Sequence, residues 1–228
     1  MLVVVHIPKT AGTTLREYIL RYVDRDAMYT VGDDIEGDIS RLVCSPEMAA
    51  KYRLVFGHVN YGCLRTLQMP VAYTTILRDP LRRAGSLYDY AVRSDTHYLH
   101  ACTIRTDFVG FMNSGITCTA DNAMVRQLCG VDRFTKSQEV DMVIPFGKVT
   151  TEHLQMAKYA LQMFTLVGLT ERYQYYQDAF ADHMDWPREP MVYTNMGHQI
   201  NVLPYRKAVM SHLELDYELY EYARGLAA

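Results

Sequence analysis

The feature that most constrains this chain is a buried strand that runs directly into a short glycine-containing turn and then a helix. Residues 2–7 are a short, β-branched apolar run, Pro8-Lys9-Thr10-Ala11-Gly12 follows, and Thr13-Thr14-Leu15-Arg16-Glu17-Tyr18-Ile19-Leu20 takes up helical spacing. A chain that leaves a buried strand for a helix points successive backbone N–H groups and the positive helix end into one small space. That space suits a phosphate or a sulfate. Gly12 lets the backbone approach closely, Thr13 and Thr14 add hydroxyl donors, and Lys9 brings a mobile point charge. Lys9, Thr10, Ala11, Gly12, Thr13 and Thr14 are therefore the first candidate binding residues.

The same pattern recurs. Leu54-Val55-Phe56, closed by Gly57, is a second strand; residues 71–77 form a third, running into Arg78-Asp79-Pro80 and a helix that continues through Tyr90. Later segments read as helices at 106–112, 119–129 and 150–164, then a strand at 165–168 and a helix at 171–183. Pro187, Pro190 and Pro204 mark an irregular stretch, and Ser211-His212-Leu213-Glu214 has capping-box form ahead of a terminal helix. Strands alternating with helices predict a three-layer α/β/α fold with a central parallel sheet. No composition shift marks a boundary, so residues 1–228 read as a single domain.

Composition sets the outer limits. With 228 residues, 49% apolar and 21% charged, the chain buries a sizeable core, which excludes disordered and fibrous classes. Its 23 basic and 26 acidic residues leave a net charge of −3, so no global field draws it to nucleic acid or an anionic membrane. Any anion must be gripped locally. No apolar run approaches the roughly 18 residues of a membrane span, and the start lacks a basic leader; the expectation is a cytoplasmic protein. The odd count of five cysteines (Cys44, Cys63, Cys102, Cys118, Cys129), without C-x-x-C spacing, argues against a disulfide framework and a zinc site. His97, His100 and Cys102 are a poor metal set in the absence of further ligands, and no metal is expected.

The first loop is not the common nucleotide loop, G-x-x-x-x-G-K-[ST], because its lysine precedes its only glycine. That weakens a kinase or nucleotide-hydrolase reading, which stays open as an alternative, as does a catalytically silent nucleotide- or glycan-binding module. The run Pro8-Lys9-Thr10-Ala11-Gly12-Thr13-Thr14-Leu15 resembles the 5′-phosphosulfate loop of carbohydrate sulfotransferases that use 3′-phosphoadenosine 5′-phosphosulfate (PAPS). Leu77-Arg78-Asp79-Pro80-Leu81-Arg82-Arg83-Ala84-Gly85-Ser86-Leu87-Tyr88 resembles that family's 3′-phosphate motif. There Arg78 offers a planar fork to a phosphate and Ser86 a neutral donor from the following helix. Arg83, three residues before Ser86, is a further candidate for the phosphate or for bracing Asp79.

The resemblance implies a P-loop NTPase-like sulfotransferase fold, PAPS as sulfuryl donor, no metal, and an acceptor hydroxyl on a saccharide. Phe56-Gly57-His58-Val59-Asn60-Tyr61-Gly62 is similar to the Gly-His-Val stretch of the uronyl 2-O-sulfotransferase branch, which gives His58 the role of base; His6 and His198 are next in line. A mild environment would leave its pKa near the ordinary value of about 6.5. Thr119 to Gly130 looks like a family segment in which Asn122 and Arg126, four apart on one helix face, meet an anionic acceptor, or else form a cap and a salt bridge. Val167-Gly168-Leu169-Thr170-Glu171-Arg172 matches a passage given a structural role. Asn201-Val202-Leu203-Pro204-Tyr205-Arg206-Lys207 occupies the place of a loop covering the nucleotide, outside the main site. Residues 91–118 and 184–200 match nothing and are assigned to the acceptor pocket. Golgi members carry an N-terminal membrane anchor and stalk; none is read in this sequence, so the expectation is a bacterial-type cytoplasmic enzyme or a chain trimmed of its anchor, and acceptor identity and oligomeric state are not legible.

Overall fold

Four consecutive apolar residues without a polar face belong where both faces of a sheet are covered. In the computed structural model, which describes residues 1–130, 144–192 and 200–227, that is where they lie. The chain runs β1 (Leu2–Val5), α1 (Gly12–Ile19), β2 (Met28–Thr30), α2 (Ile35–Cys44), α3 (Pro46–Ala49), β3 (Leu54–Gly57), β4 (Ala72–Leu77) and α4 (Pro80–Arg93). It continues through α5 (His100–Thr103), α6 (Phe108–Asn113), α7 (Ala123–Leu128), α8 (Thr151–Gln162), β5 (Leu166–Leu169), α9 (Tyr173–Met184), α10 (Arg206–Val209) and α11 (Glu214–Arg224). The sheet order is β2-β3-β1-β4-β5 and every pairing is parallel.

Strand alternation divides the core into two layers around the sheet. Leu2 and Val4, with Leu54, Phe56 and Ile76, pack against Leu15, Tyr18 and Ile19 of α1 and Tyr176 and Phe180 of α9. Val3 and Val5, with Val55, Leu77 and Val167, pack against Leu128 of α7, Leu154 and Leu161 of α8, and Leu219 of α11. This is a three-layer α/β/α arrangement. The stripe Leu15, Tyr18, Ile19 follows the i, i+3, i+4 rule, and burying each such side chain contributes about 1.5–3 kcal/mol. A third cluster joins Leu81, Ala84 and Leu87 of α4 to Phe108 and Phe111 of α6, Val202 and Val209.

The topology fixes where a ligand can sit. The connection leaving β1 travels to the β2 side of the sheet, whereas the chain leaving β4 returns at β5 on the other side. Between the carboxyl ends of β1 and β4 the connections diverge, and open parallel sheets form their ligand crevices at such a switch point. The Lys9 turn and Arg78 flank this gap, and His58 follows the neighbouring strand β3.

Two local expectations fail for one reason. The helix anticipated over residues 119–129 is a 3₁₀ turn at Cys118–Ala120, then Asn122 in a left-handed conformation (φ 44°), then the short α7. The Asn122 side-chain oxygen accepts from the N–H groups of Leu215 and Asp216 at 3.0 Å each, and the Asp216 carboxylate accepts from Met124 at 3.2 Å and Val125 at 2.9 Å. Each helix start is capped by the other. Consequently α11 opens at Glu214 without a Ser211 cap. The three-residue edge strand β2 and the helices α2 and α3 were not anticipated, β2 being too short to show periodicity. Among the described residues no helix is long and apolar enough to cross a membrane.

Candidate active site

The turn after β1 is held in an uncommon shape. Lys9 (φ 71°) and Ala11 (φ 66°) are both left-handed without being glycine, which costs about 1–2 kcal/mol per residue. Its surroundings hold it there. Thr10 Oγ1 donates to the Ile7 carbonyl at 2.8 Å, Arg78 Nη1 donates to the Lys9 carbonyl at 3.1 Å, and the Ala11 carbonyl accepts the Leu15 N–H at 3.1 Å. Alternating backbone handedness curls successive N–H groups into an anion-binding concavity, and the first turn of α1 adds N–H groups that lie outside the helical ladder.

Several residues of this loop act differently from expectation. The Thr10 hydroxyl is committed to Ile7, so it shapes the turn and leaves only its backbone for an anion. Thr13 is exposed and Thr14 is buried. Gly12 is required by a neighbour: a Cβ there would fall 1.8 Å from Nε2 of His6, whose ring lies against the turn. Close approach is indeed the reason for the glycine, but the group approached is an imidazole of the same chain.

Electrostatics single out Lys9 and Arg78. The Lys9 Nζ lies 3.9 Å from the centroid of the Tyr90 ring. Burial first, then the charges of Arg78 and Arg93, lower its pKa to about 8. Burial also lowers the pKa of Arg78. Among the described residues neither cation is ion-paired with a carboxylate. Two half-buried cations on adjacent strand ends, felt by Asp89 and by Glu171 and Asp79 respectively but ion-paired with none of them, leave positive charge for an anion to meet. Ser86 lies at the end of the second turn of α4, partly exposed, and its hydroxyl has no hydrogen-bond partner among the described residues.

Arg83 is fully buried and donates from Nη2 to the Thr119 carbonyl at 2.9 Å, with the charge of Asp216 acting on it. The charge of Arg78 also acts on Arg83, whose Nε and Nη1 are buried without a hydrogen-bond partner among the described residues. Burial pushes the Asp216 carboxyl up to about 6. Arg126 is likewise buried, paired with Asp121, and Asn122 is used in capping. Of the two options for Asn122 and Arg126, the structure realises the cap and the salt bridge.

His58 stands at the end of β3 with its ring stacked on that of His6 (centroids 4.4 Å, planes 26° apart). Its Nδ1 lies 2.8 Å from the His6 main-chain carbonyl. A carbonyl only accepts, so Nδ1 carries the proton and Nε2 keeps its lone pair. Burial lowers the His58 pKa, against smaller opposing contributions from this hydrogen bond and from Asp33. The mild environment expected for this imidazole is not found. His6 is pushed down further by burial, then by His58 and Lys9.

The remaining motifs fall around this centre. Glu171 accepts the Asp79 N–H at 3.0 Å and the Tyr220 hydroxyl at 2.9 Å, while Thr170 donates to the Leu77 carbonyl at 3.1 Å; the 167–172 passage braces the end of β4. Val202 packs on α4 so closely that a Cβ on Gly85 would lie 2.6 Å from its Cγ1, which brings the 201–207 segment beside Ser86. His97 Nδ1 accepts the Leu99 N–H at 3.3 Å, and His100 Nδ1 bonds the Ala91 carbonyl at 3.0 Å. His198 lies outside the described residues. Sequence inspection missed Tyr90 and Gln127; Tyr90 carried a signal, since it lies four residues after Ser86 and so on the same helix face.

No protein-family model matches the chain, and no curated protein matches it. Among solved structures, the crystal structure of mouse sulfotransferase SULT7A1 complexed with PAP is similar to it, with 16% sequence identity and a TM-score of 0.43, over 92% of this chain and 64% of that one. The chain thus spans a little under two thirds of that protein's length.

Proposed function

We propose that this protein is a sulfotransferase that moves a sulfuryl group from PAPS to an acceptor hydroxyl. The observation that carries the proposal is the pair of cations, Lys9 and Arg78, neither ion-paired among the described residues, with Arg78 Nη1 donating to the Lys9 main-chain carbonyl at 3.1 Å across the switch point of a parallel sheet. The residues present fit a nucleotide with two separate anionic ends. The Lys9 turn, with the backbone of residues 9–14, would hold the phosphosulfate; Arg78 and the Ser86 hydroxyl would hold the 3′-phosphate. The likeness of both stretches to the two PAPS motifs supports the same division.

PAPS, when bound, supplies an already activated sulfuryl group. Lys9 and the N–H groups of the turn stabilise negative charge that develops at that group, and preorganised donors of this kind are typically worth about 10²–10³-fold in rate. His58, held neutral and with Nε2 unprotonated, accepts the proton of the attacking hydroxyl. The hydroxyl oxygen would gain its bond to sulfur as it loses its bond to hydrogen, while the bond from sulfur to the bridging oxygen of the phosphosulfate breaks and its electron pair leaves with 3′-phosphoadenosine 5′-phosphate, whose new negative charge the Lys9 ammonium and the turn N–H groups would meet.

For the acceptor we propose a saccharide. Tyr90 and Tyr98, 36% and 43% exposed, flank His97 with ring centroids 5.2 and 4.6 Å from it, beside the Lys9 ammonium. Aromatic faces with polar tips suit a ligand that is apolar on its ring face and polar at its rim. The test is incubation of the protein with radiolabelled PAPS and a panel of sugars, phenols and lipids. Label in a sugar product supports both statements; label only in a phenol or a lipid overturns the saccharide; PAPS binding with no transfer to any class marks a silent binding module.

A further inference from the structure

We propose that Gln127 is a positioning residue for His58, acting through the main-chain carbonyl of His6. This rests on His58 being the base. Gln127 is fully buried in α7, a helix whose six residues are all buried. Its Nε2 donates to the His6 carbonyl at 3.0 Å and to the Val59 carbonyl at 2.9 Å, one hydrogen to each. The first of these carbonyls receives the Nδ1 proton of His58; the second belongs to the residue directly after His58. The main-chain carbonyl of Gln127 also accepts the Tyr61 N–H at 3.1 Å. One residue thus fixes the acceptor for the His58 proton and the backbone on which His58 stands.

A filler of the core would not look like this. A methionine or leucine would occupy similar volume without a polar cost, whereas Gln127 keeps its Oε1 buried and unpartnered among the described residues. Leaving such an oxygen without a hydrogen bond costs about 1–3 kcal/mol. Only the two N–H bonds offset it, and both converge on the carbonyl and chain that orient His58. Without them the His6 carbonyl is free to turn, and the imidazole loses what selects its tautomer. The other groups acting on these rings are Asp33, which follows β2, and Lys9, through His6.

The test uses the full chain with ¹⁵N-labelled histidine, and reads the His58 tautomer from long-range ¹H–¹⁵N correlations at pH 8, where the ring is neutral. Wild type shows the Nδ1–H form. In Gln127→Met, and in Gln127→Asn, whose amide is too short to span both carbonyls, the Nε2–H form becomes populated. Either variant suffices, with retained PAP binding as proof of fold. Turnover in the folded variant falls roughly tenfold with the KM for PAPS within a few-fold. A His58 ring that stays wholly Nδ1–H in a folded variant overturns the proposal. If the tautomer shifts but His58→Ala transfers sulfuryl normally, the positioning contact stands and His58 as the base falls.

Discussion

Arg78 Nη1 donates to the main-chain carbonyl of Lys9 at 3.1 Å, so the guanidinium that ends β4 also closes the turn that ends β1. The ends of β1 and β4 are therefore mechanically one unit. Arg78 presents a charge at the switch point and steadies a left-handed lysine that costs free energy to hold. A lysine at position 78 has one mobile charge in place of a planar fork and cannot do both.

From this follows a nucleotide preference. 3′-Phosphoadenosine 5′-phosphate stabilises the protein by about 2.7 kcal/mol at a hundredfold excess over its dissociation constant. Adenosine 5′-monophosphate, at the same concentration, stabilises it much less, because it offers nothing to Arg78 and Ser86. Thermal shift without added metal measures both. Arg78→Lys abolishes the difference between the two nucleotides; equal shifts in wild type would remove the 3′-phosphate site.

Lys9 sets an alkaline limit. It is charged below its pKa of about 8 and neutral above it, so kcat/KM, which reports the free enzyme, falls as pH rises through about 8. Bound donor places negative charge beside the ammonium and moves the corresponding limb of kcat to higher pH. Lys9→Ala slows transfer on the order of a hundredfold with the fold intact, since this side chain belongs to no core cluster. A kcat/KM that stays flat up to pH 10 would show that the Lys9 charge is not used.

The sheet was legible because β1 and β3 are apolar on both faces and β4 departs from that only at Thr74 and Thr75, and a parallel sheet leaves that pattern in a sequence. The junctions that carry Lys9, Arg78 and Ser86 were legible because a strand-to-helix transition leaves an apolar run, a turn and helical spacing in the sequence. The roles of Gly12 and Thr10 were half legible: the residue types marked a tight turn, but whether they serve an anion or the turn itself depends on His6 and Ile7, a matter of three-dimensional packing. Arg83, Asn122 and Arg126 look like ligand residues in sequence, since nothing local reveals that Thr119 takes one Arg83 N–H, that Asn122 caps α11 and that Asp121 pairs with Arg126. Gln127 left no trace at all. Its partners are main-chain carbonyls of residues 6 and 59, and a carbonyl has no residue identity.

Gly12→Ala tests the packing beneath the turn. The new methyl would fall 1.8 Å from His6 Nε2, so the ring has to leave, and with it the stack that supports His58. Overpacking of this kind costs about 1–3 kcal/mol. Ala11→Gly, by contrast, sits in a conformation glycine adopts freely, and donor affinity stays within a few-fold. The pair of variants is read by urea unfolding and by PAP titration; a Gly12→Ala protein with wild-type stability and turnover would mean that His6 has room to move.

His58 governs the acid side, and its burial fixes the sign. The ring is neutral above its lowered pKa and charged below it, so transfer is lost as pH falls, with a midpoint below the ordinary value of about 6.5. Stability moves the same way. His6 and His58 both have folded pKa values below their unfolded ones, so the unfolded chain binds more protons beneath about pH 6.5. Stability is full above that pH and declines as the pH drops toward the folded values. His58→Ala removes one of these groups, so unfolding midpoints at pH 7.5 and 5.0 lie closer together than in wild type. The same variant loses about 10²–10⁴-fold in rate yet keeps donor affinity within a few-fold, since the imidazole is assigned to the acceptor and not to the nucleotide. Rate, affinity and the two unfolding midpoints are measured on one protein. Lost affinity would make His58 a nucleotide ligand, and an unchanged rate would move the base to another residue, with the stacked His6 the first to test.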